Sequence, residues 1–314
     1  MTVATETNGT RQMPQKSLVQ RVLLPVLLIL VGLGVVLYPV VATQWNNHVQ
    51  QQITEKYEEQ FRNAQGEPQV AQQVQEAREY NASQTDGPIL DPWLARISED
   101  NVEYQEYLKQ LDGAPAMSQV VIPSIEVKLP VYHGTATETL QKGLGHLFGT
   151  ALPVGGEGTH AVITGHTGLT NATMFDNLSD IQVDDGIYVS TFGERMKYEV
   201  RDIEVVLPDQ TESLAAQEGK DLLTLITCTP YGINTHRLLV HAERVPMDPD
   251  EGGVLDESTS TIQWWMWLLG GLSLLILLAL IWWVMRERKK AQKNSADAAD
   301  DAADAAEEEH AENA

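Results

Sequence analysis

The sequence predicts a mainly β fold, namely a closed antiparallel barrel of seven to eight strands, preceded by helices and flanked by two transmembrane helices. Two long apolar runs, at residues 22–42 and 264–285, predict the transmembrane helices. Between residues 119 and 245, short β-branched and aliphatic runs alternate with Gly, Pro and Asp, and this pattern predicts the strands. With 314 residues, the chain has room for one folded domain and peripheral segments.

The first apolar run has the properties of an uncleaved membrane anchor. It contains no charged residue, and Trp45 follows it as an interfacial aromatic. Its length approaches the roughly 20 residues that a helix needs to cross a bilayer. The alternative is a signal peptide cleaved after Ala42, but signal peptides have shorter apolar stretches, and Val40 is larger than their cleavage pattern prefers. We therefore predict a cytoplasmic N-terminus at residues 1–21 and a transmembrane helix at 22–42.

Positive charge beside the two runs predicts their orientation, because cytoplasmic flanks are enriched in Lys and Arg. Arg21 precedes the first run, and a basic cluster follows the second at residues 286–293. Both termini are therefore expected inside the cell, with the segment between the spans outside. The tail at 286–314 is basic and then rich in Ala, Asp and Glu, without apolar periodicity, and is expected to be disordered and cytoplasmic.

The exported segment divides into three parts. Residues 43–115 contain Gln-, Glu- and Ala-rich stretches with a break at 66–68, and they predict helices. The barrel is expected at residues 116–246. Residues 247–263, which are acidic and contain Gly, are expected to form a linker to the second span at 264–285.

Charge and residue content argue against several kinds of site. A net charge of −23 argues against nucleic-acid partners, whose phosphates require a basic surface. Cys228 is the only cysteine, so no intramolecular disulfide can form. His160 and His166 lack the carboxylate or cysteine partners of a convincing metal site, so we expect no metal and no other cofactor.

Cys228 is the first candidate for chemistry. It ends an apolar run at 222–227 and precedes Thr-Pro-Tyr-Gly at 229–232, so the thiol should lie at a strand end that faces a loop. Reactive residues are common at such borders. The alternative is a buried cysteine that acts as a small apolar side chain.

The surroundings of Cys228 resemble those of a known family. Thr-Leu-Ile-Thr-Cys at 224–228 is similar to the sortase signature Thr-Leu-x-Thr-Cys, and the segment from 229 to Arg237 resembles the following loop and strand of class C sortases. The block at 152–166, ending in Thr-Gly-His, is similar to the segment that delivers the catalytic histidine. The resemblance covers about residues 91 to 244. It implies a sortase-like barrel with Cys228, His166 and Arg237 as catalytic residues.

The resemblance implies acyl transfer in which each residue type has a role. Cys228 would attack a peptide carbonyl and hold the acyl group as a thioester. His166, with an ordinary imidazole pKa of about 6.5, would pass protons to the leaving amine and from the incoming one. Arg237 would position the substrate and stabilise the oxyanion. Thr227 is a candidate for oxyanion or substrate support, and His236 is the main rival of His166.

The resemblance also implies a substrate class. Sortases act on cell-wall sorting signals of the Leu-Pro-x-Thr-Gly type, and class C members use a pilin lysine as acceptor. The implied partners are therefore pilin or surface-protein sorting signals, with a pilin lysine or a cell-wall amine as acceptor, at the membrane of a Gram-positive-type bacterium. The alternatives are a housekeeping-type sortase that anchors proteins to peptidoglycan, a cysteine peptidase, and a non-catalytic binding domain.

Asp-Pro-Trp at 91–93 is similar to the lid motif of class C sortases. We hypothesise that Asp91 pairs with Arg237 and that Trp93 covers the sulfur of Cys228, with Pro92 between them. The alternative is an ordinary turn before a helix. The chain departs from the family pattern at Thr167 and Thr170, where many relatives carry Arg and Pro, and this departure bears on substrate contacts.

Overall fold

The computed structural model of the chain describes residues 19–64, 67–84, 91–92, 98, 100–257 and 262–312. The chain forms two compact units. One consists of Met1–Pro39 together with Gln263–Ala314, and the other is Val40–Ile262.

The first unit is built from the two apolar helices. A π-helical turn at Val19–Leu23 leads into α1, Leu24–Asn63, whose second half belongs to the other unit, and α5 runs over Trp264–Glu312. Both helices are long and apolar enough to cross a membrane.

The prediction of a disordered tail is wrong, because α5 continues through it to Glu312. Ala, Glu and Lys are strong helix formers. Extending an existing helix also avoids the cost of nucleation, which makes short isolated helices unstable. The absence of apolar periodicity therefore indicated an unpacked segment and not an irregular backbone.

Eight strands of the second unit close into a barrel, as predicted. They are β1 Ser118–Ile122, β2 Val127–His133, β3 Leu144–His146, β4 Thr159–Thr164, β5 Gly186–Thr191, β6 Glu194–Val206, β7 Asp221–Thr229 and β8 His236–Val245. Their order around the barrel is β1-β2-β3-β4-β7-β8-β6-β5. The long run that begins near Met196 is one strand with a register shift at Val200 and Asp202.

The prediction of a purely antiparallel barrel is wrong, because the pairs β2–β3 and β4–β7 are parallel. Parallel neighbours require a crossover connection. The short helix α4, Thr137–Lys142, lies in the connection between β2 and β3, and the hairpin of β5 and β6 lies between β4 and β7 in sequence. At three residues, β3 was too short to be predicted.

Alternate strand positions fill the barrel interior. The inward side chains of Val120, Val131, Ile163, Leu225 and Val240 come from five different strands and are fully buried in one cluster. Burial of such side chains stabilises the fold by roughly 1.5–3 kcal/mol each. This packed interior keeps the strand ends, and the side chains on them, in a constant arrangement.

Helices before the barrel pack against it. Tyr57 in the second half of α1 donates its hydroxyl to the carbonyl of Met117 (3.0 Å) and accepts from the amide of Phe192 (2.8 Å). Phe61 packs against Phe192 with ring centroids 4.4 Å apart and the ring planes tilted by 38°. Two further helices follow, α2 at Pro68–Ser83 and α3 at Val102–Leu108.

The segment predicted as a linker is folded in part. Pro249–Leu255 forms a 3-10 helix whose Leu255 is completely buried against Val121 and Tyr188. Lys128 donates to the carbonyls of Leu255 (2.8 Å) and Glu257 (2.9 Å). An acidic, Gly-containing composition indicated flexibility, but this segment gains fixed partners on the outer face of the barrel.

Candidate active site

Strand topology brings Cys228, His166 and Arg237 to one end of the barrel. β7 is the neighbour of both β4 and β8. In the antiparallel pair of β7 and β8, Cys228 lies directly opposite Arg237. In the parallel pair of β4 and β7, Thr164 lies opposite Ile226, and the amide of the next residue, Gly165, donates to the carbonyl of Ile226 (3.1 Å). His166 therefore leaves the end of β4 beside the strand end that carries the thiol.

Thr227 links β7 to the segment that carries His166. Its hydroxyl donates to the carbonyl of Gly165 (2.8 Å), and its side chain is buried. Because a hydroxyl has a single proton, this bond occupies the donor that oxyanion support would use. The geometry favours a positioning role over the predicted support of the oxyanion.

Burial keeps both the thiol and the imidazole in their neutral forms. The partly buried Cys228 has a raised pKa, chiefly through loss of solvent, while the charge of Arg237 lowers the thiol pKa and that of Asp91 raises it. Partial burial lowers the pKa of His166. Both shifts disfavour a thiolate–imidazolium pair in this state.

Asp91 and Arg237 form the ion pair hypothesised from the sequence. Nε of Arg237 donates to Oδ2 of Asp91 (2.6 Å), and Nη2 donates to Oδ1 (3.2 Å). Both side chains are almost fully buried. Pro92, which follows Asp91 in the sequence, is buried as well. Such bidentate, charge-assisted bonds are strong. The guanidinium is thus engaged by the protein's own carboxylate. Trp93, for which a covering role over the sulfur is hypothesised, lies outside the described residues.

The segment after His166 has a polar residue that sequence reasoning missed. Asp176 directs a carboxylate oxygen to the amide of Gly168 (2.7 Å) and the hydroxyl of Thr167 (3.1 Å). The sequence signal was an acidic residue soon after a Thr-Gly turn, but acidic residues are too common for that pattern to stand out.

The other histidines considered have local partners. His236 lies beside the hydroxyl of Thr235 (2.9 Å). The two ring nitrogens of His160 lie 2.6 Å from the hydroxyl of Thr224 and 3.1 Å from the carbonyl of Ala215. Burial lowers the pKa of His160 to about 4. Among the described residues, no group of three or more His, Cys, Asp and Glu is suited to hold a metal.

Comparisons with known proteins match this part of the chain. A family model described as "Sortase domain" matches residues 120–245. A solved structure of sortase C-1 from Actinomyces oris is 57% identical, covers 57% of this chain and 99% of its own, and has a TM-score of 0.55. A structure of sortase C from Streptococcus pneumoniae, described as giving insight into pilin substrate specificity, is 36% identical, covers 62% and 97%, and has a TM-score of 0.56.

Curated relatives match over a shorter length. "Sortase A" of Streptococcus agalactiae is 30% identical over 132 residues, which are 41% of this chain and 53% of that protein. The chain spans between about half and three fifths of the length of the four curated relatives that it matches.

Proposed function

Because the chain belongs to the sortase family, we propose that it is a membrane-anchored cysteine transpeptidase that cleaves an LPXTG-like sorting signal and transfers the acyl part to an amine. The observation that carries this proposal is the meeting of Cys228, Arg237 and His166 at adjacent strand ends. The nucleophile is Cys228, the proton carrier is His166, and the oxyanion partner is Arg237.

The first half-reaction forms a thioester. The sulfur of Cys228 attacks the carbonyl carbon of the Thr–Gly bond, and its proton passes to a ring nitrogen of His166, which the lowered pKa keeps neutral and able to accept it. Guanidinium donors of Arg237 bind the developing oxyanion. When the C–N bond breaks, the imidazolium gives that proton to the leaving amine. The acyl group remains on sulfur.

The second half-reaction regenerates the thiol. An incoming amine attacks the thioester carbonyl and loses a proton to His166. The C–S bond then breaks, and the imidazolium returns the proton to the sulfur of Cys228. A new amide bond replaces the original one, so the exchange requires no cofactor.

Asp91 holds the site in a resting state. Its carboxylate occupies the guanidinium that the oxyanion would use, and its charge raises the pKa of the Cys228 thiol. Substrate has to displace Asp91 before Arg237 can act. Asp91 thus serves as the part of a lid that blocks Arg237.

Pilin polymerisation is the specific activity that we propose, with a pilin lysine as the acceptor. The Asp91–Arg237 pair, the second apolar helix and the likeness to sortases C support this choice. Anchoring of surface proteins to a cell-wall amine is the second candidate, supported by the likeness to sortase A. Positive flanks beyond both apolar helices support an extracellular barrel with both termini inside the cell.

Trapping the acyl-enzyme tests the proposal. The full chain in detergent is incubated with a sorting-signal peptide, and mass spectrometry should detect an adduct of the peptide's N-terminal part on Cys228. Cys228→Ala should form none. Product analysis without amine, with a lysine-bearing pilin peptide and with a wall-type amine separates polymerisation, anchoring and simple hydrolysis. Absence of the adduct on the wild-type chain would overturn the proposed function.

A further inference from the structure

Two loops border the thiol on the side of His166. The first loop follows β4 and contains Thr167 and Gly168, and the second follows Cys228 in β7 and contains Tyr231 and Gly232. A hydrogen bond from the amide of Phe175 to the carbonyl of His166 (3.0 Å) closes the base of the first loop. The path of the first loop therefore determines where the imidazole of His166 lies.

Asp176 is a partly buried acidic residue in the segment between β4 and β5. It begins a short 3-10 helix, Asp176–Asp180, and its side chain turns back towards the residues after His166. One carboxylate oxygen, Oδ1, accepts from both the amide of Gly168 (2.7 Å) and the hydroxyl of Thr167 (3.1 Å). The two residues after the imidazole are thus held by a single acceptor.

Asp176 also holds the first loop at the point where it approaches the second loop. Gly168 has a φ of +79°, and a methyl group at its Cα would lie 3.8 Å from the amide nitrogen of Gly232 and 3.9 Å from Cζ of Tyr231. The loop of His166 therefore approaches the backbone of the loop of Cys228 at Gly168. An L side chain there would be strained by the positive φ.

We propose that Asp176 is a positioning residue that sets the placement of His166 relative to Cys228 by holding Thr167 and Gly168 against the loop after β7. This inference rests on the proposed function, because it assigns the side chain a role in the same proton transfers. Thr167, where the chain departs from the family pattern, supplies one of the two donors. Asp176 acts through the loop and does not contact substrate.

A positioning role differs from a purely structural one in what it changes. Proton transfer requires the donor and acceptor atoms within hydrogen-bond reach, and a displacement of about 1 Å can cost about a hundredfold in rate. Loss of Asp176 should therefore lower kcat and leave KM nearly constant. The thiol itself should keep its reactivity towards a small alkylating reagent, because its strand is untouched.

Three variants of the full chain in detergent test the inference. Asp176→Ala removes the acceptor, Asp176→Asn retains an oxygen that can accept both bonds, and Asp180→Ala is the control. Asp180 is an exposed aspartate in the same short helix. The measurements are kcat and KM for acyl transfer from a sorting-signal peptide, alkylation of Cys228 by iodoacetamide, and amide hydrogen exchange over residues 167–175.

We expect Asp176→Ala to lower kcat by about tenfold to a hundredfold with KM changed by less than about twofold. Exchange over residues 167–175 should become faster in this variant, with unchanged alkylation. Asp176→Asn should recover most of the activity, and Asp180→Ala should behave as the wild type. Wild-type kcat in Asp176→Ala, or equal losses in the Ala and Asn variants, would overturn the inference.

These experiments distinguish failure of the proposed function from failure of the positioning role of Asp176. If the wild-type chain forms no acyl-enzyme, the proposed function fails, and the inference is then judged on exchange alone. Unchanged exchange in Asp176→Ala would refute it in that case. If the wild type turns over and Asp176→Ala does so equally well, only the positioning role fails.

Discussion

Cys228 and Arg237 occupy opposite positions in the antiparallel pair of β7 and β8. Residues directly opposite each other in such a pair lie close together, with Cα atoms roughly 4.5–5.5 Å apart. The strand register alone therefore brings a guanidinium beside a thiol. The carboxylate of Asp91 completes this arrangement by pairing with the guanidinium.

Replacing Asp91 with Asn should make the thiol of Cys228 more reactive. Removing the carboxylate charge lowers the raised pKa of the Cys228 thiol and frees Arg237, so more thiolate exists at neutral pH. We expect iodoacetamide to label Cys228 about two- to tenfold faster, since one pKa unit changes the thiolate fraction about tenfold. The pH profile of labelling should shift to lower pH.

Asp100 provides the control for this experiment, because it is an exposed aspartate. Asp100→Asn should label at the wild-type rate. Adding Trp93→Ala to the Asp91 variant tests the remaining part of the lid. A labelling rate that stays unchanged in both lid variants would contradict the resting-state role of residues 91–93.

Replacing Arg237 with Lys should strongly reduce turnover, even though the substitution keeps the positive charge. Lysine is a point charge and cannot reproduce the planar fork that binds two oxygens. We expect kcat for acyl transfer to fall by about a hundredfold, similar to the loss of an oxyanion donor. Arg201→Lys, at a half-exposed position, is the matched control. Comparable kcat in the two variants would argue against an oxyanion role.

Replacing Thr227 with Val should separate the hydroxyl from the shape of the side chain. The variant loses the bond to the carbonyl of Gly165, and stability should fall by about 1 kcal/mol. Because Gly165 precedes His166, kcat should fall as well. Thr227→Ser keeps the hydroxyl and should restore most of both, as measured by urea unfolding and peptide turnover. Equal effects in Val and Ser would contradict this role.

Stability should fall as the pH drops from about 6.5 towards 4. His146 is fully buried, with Nε2 donating to the carbonyl of Ala151 (2.8 Å), and burial lowers its pKa from 6.5 to about 4. His160 has the same shift. Below about pH 6.5 the unfolded chain protonates these two imidazoles, whereas the folded chain keeps them neutral down to about pH 4. Each histidine should therefore lower the free energy of unfolding by about 3 kcal/mol between pH 6.5 and pH 4.

Urea unfolding at several pH values measures this effect. Replacing both His146 and His160 with Gln should flatten the pH dependence between about 6.5 and 4, even though stability at neutral pH also falls. A pH slope that survives the double substitution would assign acid sensitivity to other groups.

Replacing Leu255 with Ala should destabilise the barrel domain. Leu255 is completely buried against Val121 and Tyr188, so truncation leaves a cavity and should cost about 2–4 kcal/mol. Glu257→Ala is the control, because its side chain is exposed and its backbone carbonyl still accepts from Lys128. Urea unfolding measures both. A cost below about 0.5 kcal/mol for Leu255→Ala would show that this segment contributes little.

Local patterns predicted most of the fold. Alternation and β-branched content identified seven strand regions, but β3 has only three residues and no detectable alternation. The parallel pairs were missed because strand direction depends on which segments become neighbours. Asp176 was missed because acidic residues are common in the sequence, and its partners are defined only by the path of a folded loop.

The sequence by itself determined the two long apolar segments, the strand-rich domain between them, and the motifs around Cys228, His166 and Arg237. Hydropathy and short motifs are properties of contiguous residues, so they can be read without the fold. Only the tertiary structure decided the register that places Arg237 opposite the thiol, the pairing of Asp91 with the guanidinium, and the docking of Leu255. Those features depend on closure of the barrel, which brings together residues far apart in the chain, and on burial, which sets their pKa values.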